Sequence, residues 1–341
     1  MEAQPSLTAS PVRTPLATPF TEKVGIQVPI ICGAMYPCSN PELVAAASEA
    51  GGIGVVQPVS LTFVHGYDFR EGLRFIKTLT SKPIGMNALI EKSSRSYHAR
   101  MERWIDIALE EGVRFFVTSL GKPGWVVDRV SPSGGVVYHD VTERKWALKG
   151  LDGGVDGFMA VNRRAGGHAG PKSKETLFEE LADLGVPLIC AGGVGSEDDF
   201  VAALRMGYAG VQMGTAFIAT SQCTASDTYK EAIVAASEND IVLSERITGI
   251  PLAVIDTPYI RKLGLKAGPL ARWMLRGRKR KHLMRLIYTL LSVWRLKRSA
   301  QGKGRAKEFW QAGRSVSGIS RIRPAGQIVK EFAEAAIESG K

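Results

Sequence analysis

Cysteine is scarce in this chain of 341 residues: Cys32, Cys38, Cys190 and Cys223 are the only four, and no two form a CxxC pair. That spacing excludes a zinc-ribbon or disulfide-framework protein and points to a reducing, cytoplasmic setting. Long apolar runs are also missing. No run approaches the roughly 18 uncharged, apolar residues that a membrane-spanning helix requires. The first residues, 1–17, carry no basic-then-apolar signal pattern, only a Pro/Ser/Thr-rich lead expected to be mobile. Histidine is rare, and no cluster of metal-ligand spacing is present. Acidic residues are absent from one long stretch: positions 261–307 hold sixteen Lys and Arg and no Asp or Glu. The formal net charge of +11 comes entirely from there, since the remainder holds 28 basic against 33 acidic residues. A uniformly basic nucleic-acid binder does not have this distribution.

What is present is a recurring unit. Short runs rich in Val, Ile, Leu, Phe and Met appear at Val28–Gly33, Ile53–Pro58, Pro83–Ile90, Phe115–Gly121, Val136–Val141, Gly157–Asn162, Pro187–Gly193 and Gly210–Thr215. Segments of helical spacing lie between them, among them Pro41–Ala50, Tyr97–Glu111, Lys174–Leu184 and Asp198–Met206. Eight βα units with near-continuous apolar strands predict an α/β fold, a closed (β/α)8 TIM barrel, with a doubly wound open sheet as the alternative. The expected plan is a barrel over 18–238 and 308–341, closed by a helix at Gln327–Ile337. A basic, mainly helical subdomain is expected to be inserted at 239–307.

In such a barrel the reactive groups sit on the loops after the strands. The seventh loop reads Ala191-Gly192-Gly193-Val194-Gly195 and opens into a helix at Ser196; the eighth strand ends Met213-Gly214-Thr215. Gly-rich loops at these two places predict a phosphate site, because glycine lets backbone N–H groups approach the oxygens. A Thr215 hydroxyl adds a further donor. The sixth loop places His168 between glycine pairs, Gly166-Gly167-His168-Ala169-Gly170, with no apolar stripe to pack it. An imidazole there suits general-base chemistry or an anionic substrate.

These motifs resemble the nitronate monooxygenase (2-nitropropane dioxygenase-like) family. The resemblance rests on the residues from Pro29 to Met35, the Asn40-Pro41-Glu42-Leu43 and Ala50-Gly51-Gly52 stretches, Pro83–Asn87, the Ala-Gly-Gly-His motif at 165–168, Ala191–Gly193, Gly210–Phe217 and Trp310–Ser315. It implies a TIM barrel that binds FMN, with Gly33, Ala34 and Met35 lining the flavin and Asn87 contacting it. It further implies Gly167 beside the flavin, Gly192, Gly193, Gly214 and Thr215 at its phosphate, and His168 as the catalytic residue. Arg314 stands where members often carry glutamine, and Cys32-Gly33 where many carry glutamine after the first strand; both bear on substrate choice. The implied activity is oxidation of alkyl nitronates, or of nitroalkanes, with O2 to a carbonyl compound and nitrite. The same barrel also serves NAD(P)H-dependent flavin reductases of enoyl thioesters and quinones, which the motif does not separate. A non-catalytic scaffold for an anionic partner is the third alternative.

His139 is expected to line the site, with Tyr138 facing away by strand alternation, and Arg314 and Ser315 are further lining candidates. No metal site is expected. From Arg278 to Arg295 a basic amphipathic helix is predicted, suited to a peripheral anionic membrane surface or an acidic carrier protein rather than nucleic acid. Nothing in the residues fixes an oligomeric state.

Overall fold

The computed structural model describes residues 16–90, 95–268, 295–301 and 309–340. Eight parallel strands close into a barrel in chain order. They are β1 (Ile30–Cys32), β2 (Ile53–Val56), β3 (Gly85–Leu89), β4 (Phe115–Ser119), β5 (Val136–Val141), β6 (Gly157–Val161), β7 (Leu188–Ala191) and β8 (Gly210–Met213). Closure is made by β1 against β8, with Ile30 opposite Val211 and Cys32 opposite Met213. The expected TIM barrel is therefore the fold, and the open sheet is excluded.

Helix α1 (Pro19–Val24) plugs the barrel floor. Thr18 starts it with a reciprocal capping box, its hydroxyl accepting from Thr21 N. Phe20 then reaches the interior, where its ring meets Phe115 and Tyr138 at centroid distances of 5.5 Å. With Ile31, Ile53, Val55, Val117, Val136, Met159 and Ile189 these rings fill the inside of the barrel. The other face of each strand packs under the surrounding helices, for example Phe116, Val137, Phe158, Cys190 and Val211.

That outer layer contains α2 (Pro41–Glu49), α3 (Phe69–Leu79), α4 (Arg95–Glu110), α5 (Gly124–Val130), α6 (Arg144–Leu151), α7 (Lys174–Leu181) and α8 (Glu197–Met206). Helix α2 lies so close to β2 that a Cβ on Gly54 would fall 2.1 Å from Val44 O. The gap between α8 and α2 is filled from beyond the insertion by the C-terminal helix Ala325–Glu338. Its Phe332 packs on Phe200 at 5.8 Å between ring centroids.

The stretch expected as a mainly helical insertion opens differently. Two antiparallel strands, β9 (Ile241–Ser244) and β10 (Leu252–Ile255), form a hairpin. Alternate residues Leu252 and Val254 of β10 form a small separate core with Ile247, Ile260, Leu296 and Phe309, and Tyr36 of the loop after β1 packs against it. The helix expected over 278–295 lies outside the described residues except for Arg295. Among the described residues no helix is long and apolar enough to cross a membrane, and no group of His, Cys, Asp and Glu is arranged to hold a metal.

Candidate active site

The C-terminal ends of the strands form the mouth of the barrel, and the sequence-predicted residues gather there. After β6 the chain makes a wide loop. Asn162 is fully buried at its base, donates to Gly192 O (2.8 Å) and accepts from Arg164 N (2.8 Å). At the loop's far side Gly167 pairs with Ala253 of β10 and accepts its N–H at 2.8 Å. The hairpin thus braces the segment that carries His168.

The imidazole of His168 remains accessible, yet the protein around it holds its pKa below the ordinary value. It is accordingly neutral at pH 7. Its Nε2 lies 3.3 Å from Thr248 Oγ1. The Thr248 hydroxyl proton is committed to Ile250 O at 2.9 Å, so the oxygen accepts from the imidazole. This network assigns the proton to Nε2 and leaves Nδ1 as the basic nitrogen.

The glycines of the seventh loop have a specific reason to be glycine. Gly192 and Gly193 take φ of +113° and +75°, where a side chain is strained. A Cβ on Gly192 would lie 2.6 Å from the backbone of Ala165, and one on Gly193 would lie 2.9 Å from the Arg164 side chain. Loop 6 therefore sits directly on loop 7. Helix α8 begins at Ser196 as the sequence suggests, but its terminus is already occupied: Asp199 accepts from Gly195 N (3.0 Å) and Ser196 N (3.2 Å). By contrast α9 (Thr215–Ile218), which follows β8, starts at Gly214 without a side-chain cap. The buried Thr215 hydroxyl accepts from Gly313 N at 2.9 Å and keeps its own proton to donate.

These features fit an anionic group such as the phosphate of a flavin. The glycine turn at 192–193 and the uncapped amides at 214–215 would hold it, and Arg164, which pairs with Glu238 at 2.6 Å, crosses beside Gly193. Around the mouth Gly33 abuts Gln212, Gly214 abuts Met35, and Asn87 donates to Val117 O at 3.3 Å. Ala34 and Met35 are partly exposed there. Ser315 is buried, its carbonyl oxygen pressed against Gly195. Arg314 is exposed and touches loop 6 through its backbone, N–H to Arg164 O at 2.9 Å.

One expectation is corrected. His139 does not line the mouth: it is buried on the outer face of β5, bonded to Thr118 Oγ1 at 2.9 Å, and burial lowers its pKa to about 4. Tyr138, expected to face away, is the inward residue, because the floor offers its ring two aromatic neighbours. Alternation then turns Asp140 inward too. Sequence reasoning missed Asp140, Gln212 and Arg164. Gln212 precedes a recognised glycine and faces inward on β8, so the strand period was its available signal. A separate recess of about 510 Å³ opens at the floor between Lys23, Lys82, Arg114 and Phe115; it lies at the end of the barrel away from these loops.

The nitronate monooxygenase family model matches residues 17–335. Among curated proteins, the (3aS,4S,5R,7aS)-5-hydroxy-7a-methyl-1-oxo-octahydro-1H-indene-4-carboxyl-CoA dehydrogenase of Rhodococcus jostii is 30% identical over 249 residues, 73% of this chain and 68% of its own. A probable nitronate monooxygenase of Staphylococcus saprophyticus is 26% identical over 290 residues, covering 73% of this chain and 81% of its own. FabK from Thermotoga maritima superposes with a TM-score of 0.77 at 25% identity, over 95% of this chain and 97% of its own. The nitroalkane oxidase of Streptomyces ansochromogenes shares the fold, with a TM-score of 0.75 at 21% identity over 94% of this chain and 98% of its own. With its closed barrel, glycine cradle and rim histidine, and with the family model matched from floor helix to closing helix, the chain belongs to the nitronate monooxygenase family and is a flavin-dependent oxidoreductase.

Proposed function

We propose that the protein is an FMN-dependent nitronate monooxygenase that converts alkyl nitronates, and nitroalkanes after loss of their α-proton, to a carbonyl compound and nitrite with O2. The observation that carries this reading is His168: a neutral, accessible imidazole whose Nε2–H is tied to Thr248, which leaves Nδ1 as its basic nitrogen. FMN, when bound, accepts electrons from the substrate and passes them to O2. Gly192, Gly193, Gly214 and Thr215 would hold its phosphate, while Gly33, Ala34, Met35, Asn87 and Gly167 would surround the rest. Nδ1 of His168 takes the α-proton from a neutral nitroalkane or, once protonated, pairs with the nitronate oxygens.

A second reading has its own support. The relative at 30% identity is named for a coenzyme A thioester, and sixteen Lys and Arg at 261–307 suit a phosphate-rich substrate or an acidic carrier protein. On that reading the enzyme is a thioester oxidoreductase using NAD(P)H. Anaerobic mixing separates the two. Bleaching of the flavin by ethyl nitronate, and not by NADH, supports the first; rapid bleaching by NADH with no response to nitronate overturns it.

A further inference from the structure

Of the side chains that the eight strands turn inward, Asp140 is the single carboxyl. It follows Val136 and Tyr138 on the inner face of β5, one layer nearer the mouth, and pairs in register with Met159 of β6. The residue is partly exposed, yet its Oδ1 is sealed from solvent and has no hydrogen-bond partner among the described residues. A buried oxygen without a donor is destabilising, and an ionised one far more so. Burial alone raises the pKa of this carboxyl, to about 7, with no contribution from a charged neighbour.

Among the described residues the surroundings supply no counter-ion. The flanking strands turn Val117, Ser119, Met159 and Val161 inward, none of which ionises near neutrality. Tyr138, one layer below, is held neutral by burial. On the adjoining loops, Glu143 pairs with Lys145 and Arg144 with Asp183, while Arg164 pairs with Glu238. Lys122 and Arg163 are exposed, and His168 is neutral at pH 7. β5 and β6 are neighbours, so Asp140 lies beside the strand whose following loop carries His168.

Resting on the nitronate reading, we propose that Asp140 works as the neutral acid and donates a hydrogen bond to a negative oxygen of the substrate's nitro group. A carboxylate at this place would repel a nitronate, whereas a carboxylic acid in an apolar setting binds it. The same logic makes the acid useful for nitrite, which carries equivalent oxygens. As pH rises through the titration of Asp140 the donor is lost and a repelling charge appears.

The test uses the flavin-loaded protein. In protein carrying [13Cγ]aspartate, the carboxyl resonance that disappears in Asp140→Asn should titrate near pH 7; a midpoint in the ordinary carboxylate range overturns the proposal. Nitrite binding, read from the flavin absorbance, should weaken about 10–100-fold in Asp140→Ala, the span for a hydrogen bond to a charged group. Asp140→Asn, which keeps a neutral donor, should hold affinity within a few-fold and lose the decline above pH 7. Equal affinity in wild type and Asp140→Ala, or no nitrite binding by the wild type, sinks the proposal. Anaerobic bleaching by nitronate is scored separately. Bleaching with an unaltered Asp140→Ala affinity removes the acid and leaves the nitronate reading standing.

Discussion

The imidazole Nε2 of His168 sits 3.3 Å from the hydroxyl oxygen of Thr248, a residue of the hairpin connection and not of the barrel. The proton of that hydroxyl goes to Ile250 O. The barrel therefore carries the proposed base, and the hairpin orients its ring.

His168→Asn should lower turnover of a neutral nitroalkane by roughly 10²–10⁴-fold, the usual range for a positioned base. Turnover of the preformed nitronate should fall less, because no proton need be removed. Steady-state kinetics on the two forms of one substrate checks this. Equal and small losses on both would make the histidine a bystander.

Thr248→Val removes the acceptor and leaves the ring free to turn. Thr248 is a positioning residue, so kcat for the neutral nitroalkane should fall about 5-fold, the worth of one ordinary hydrogen bond, with KM little changed. The acid limb of the pH–rate profile, set by a His168 pKa below the ordinary histidine value, should move as well. Thr248→Ser should restore both. A drop that Ser does not rescue would mean general damage to the hairpin.

Gly192→Ala and Gly193→Ala should differ. At Gly192 the new Cβ meets unyielding backbone at 2.6 Å with φ at +113°, so loop 6 must move. At Gly193 it meets the Arg164 side chain, first its Cβ at 2.9 Å, a milder overlap at a φ of +75°. The expected costs are at least about 2 kcal/mol for the first and about 1 kcal/mol for the second. Chemical unfolding and the flavin content of the purified variants measure them; reversed order would refute the loop contact.

The buried His139 makes a prediction about acid. Its folded pKa is about 4, below the ordinary value, so the unfolded chain takes up a proton first as pH falls. Its share of stability is whole above about pH 6.5 and is lost between there and about 4, up to about 3 kcal/mol. In His139→Gln the decline over that window should be shallower; His65 and His168, whose pKa values are also lowered, act in the same direction, and Asp140, whose pKa is raised to about 7, acts in the opposite one. Parallel stability curves for wild type and variant would contradict the burial argument.

The strands were legible because each is a short run of Val, Ile, Leu, Phe and Met bounded by glycine or helix, a pattern that both-face burial demands. The glycine turn at 192–193 and His168 were legible because function at a barrel mouth leaves polar and flexible residues where packing would otherwise put apolar ones. The phase of β5 was not. Tyr138 and His139 are both amphipathic, and the choice between them depends on Phe20, which arrives from α1 far away in the chain. With the phase reversed, Asp140 disappeared from view. The contact between Gly33 and Gln212 is equally non-local, since it exists only because β1 closes against β8. The hairpin escaped because two runs of four residues, Ile241–Ser244 and Leu252–Ile255, are too short to separate strand from helix by period.

The C-terminal helix Ala325–Glu338 has a consequence for the birth of the molecule. All eight strands leave the ribosome before it does, so α2 and α8 flank an open apolar groove until the stretch beyond the insertion has been made. Phe200 waits there for Phe332, and Ala46 and Ala50 of the α2 end for the start of the helix at Gly326. A nascent barrel at that stage has its pairing complete and its wall unfinished, which is the state that chaperones recognise and aggregation exploits. The chain between α8 and this helix therefore separates the two halves of one packing surface, so the wall of the barrel is a long-range contact although its strand pairing is local.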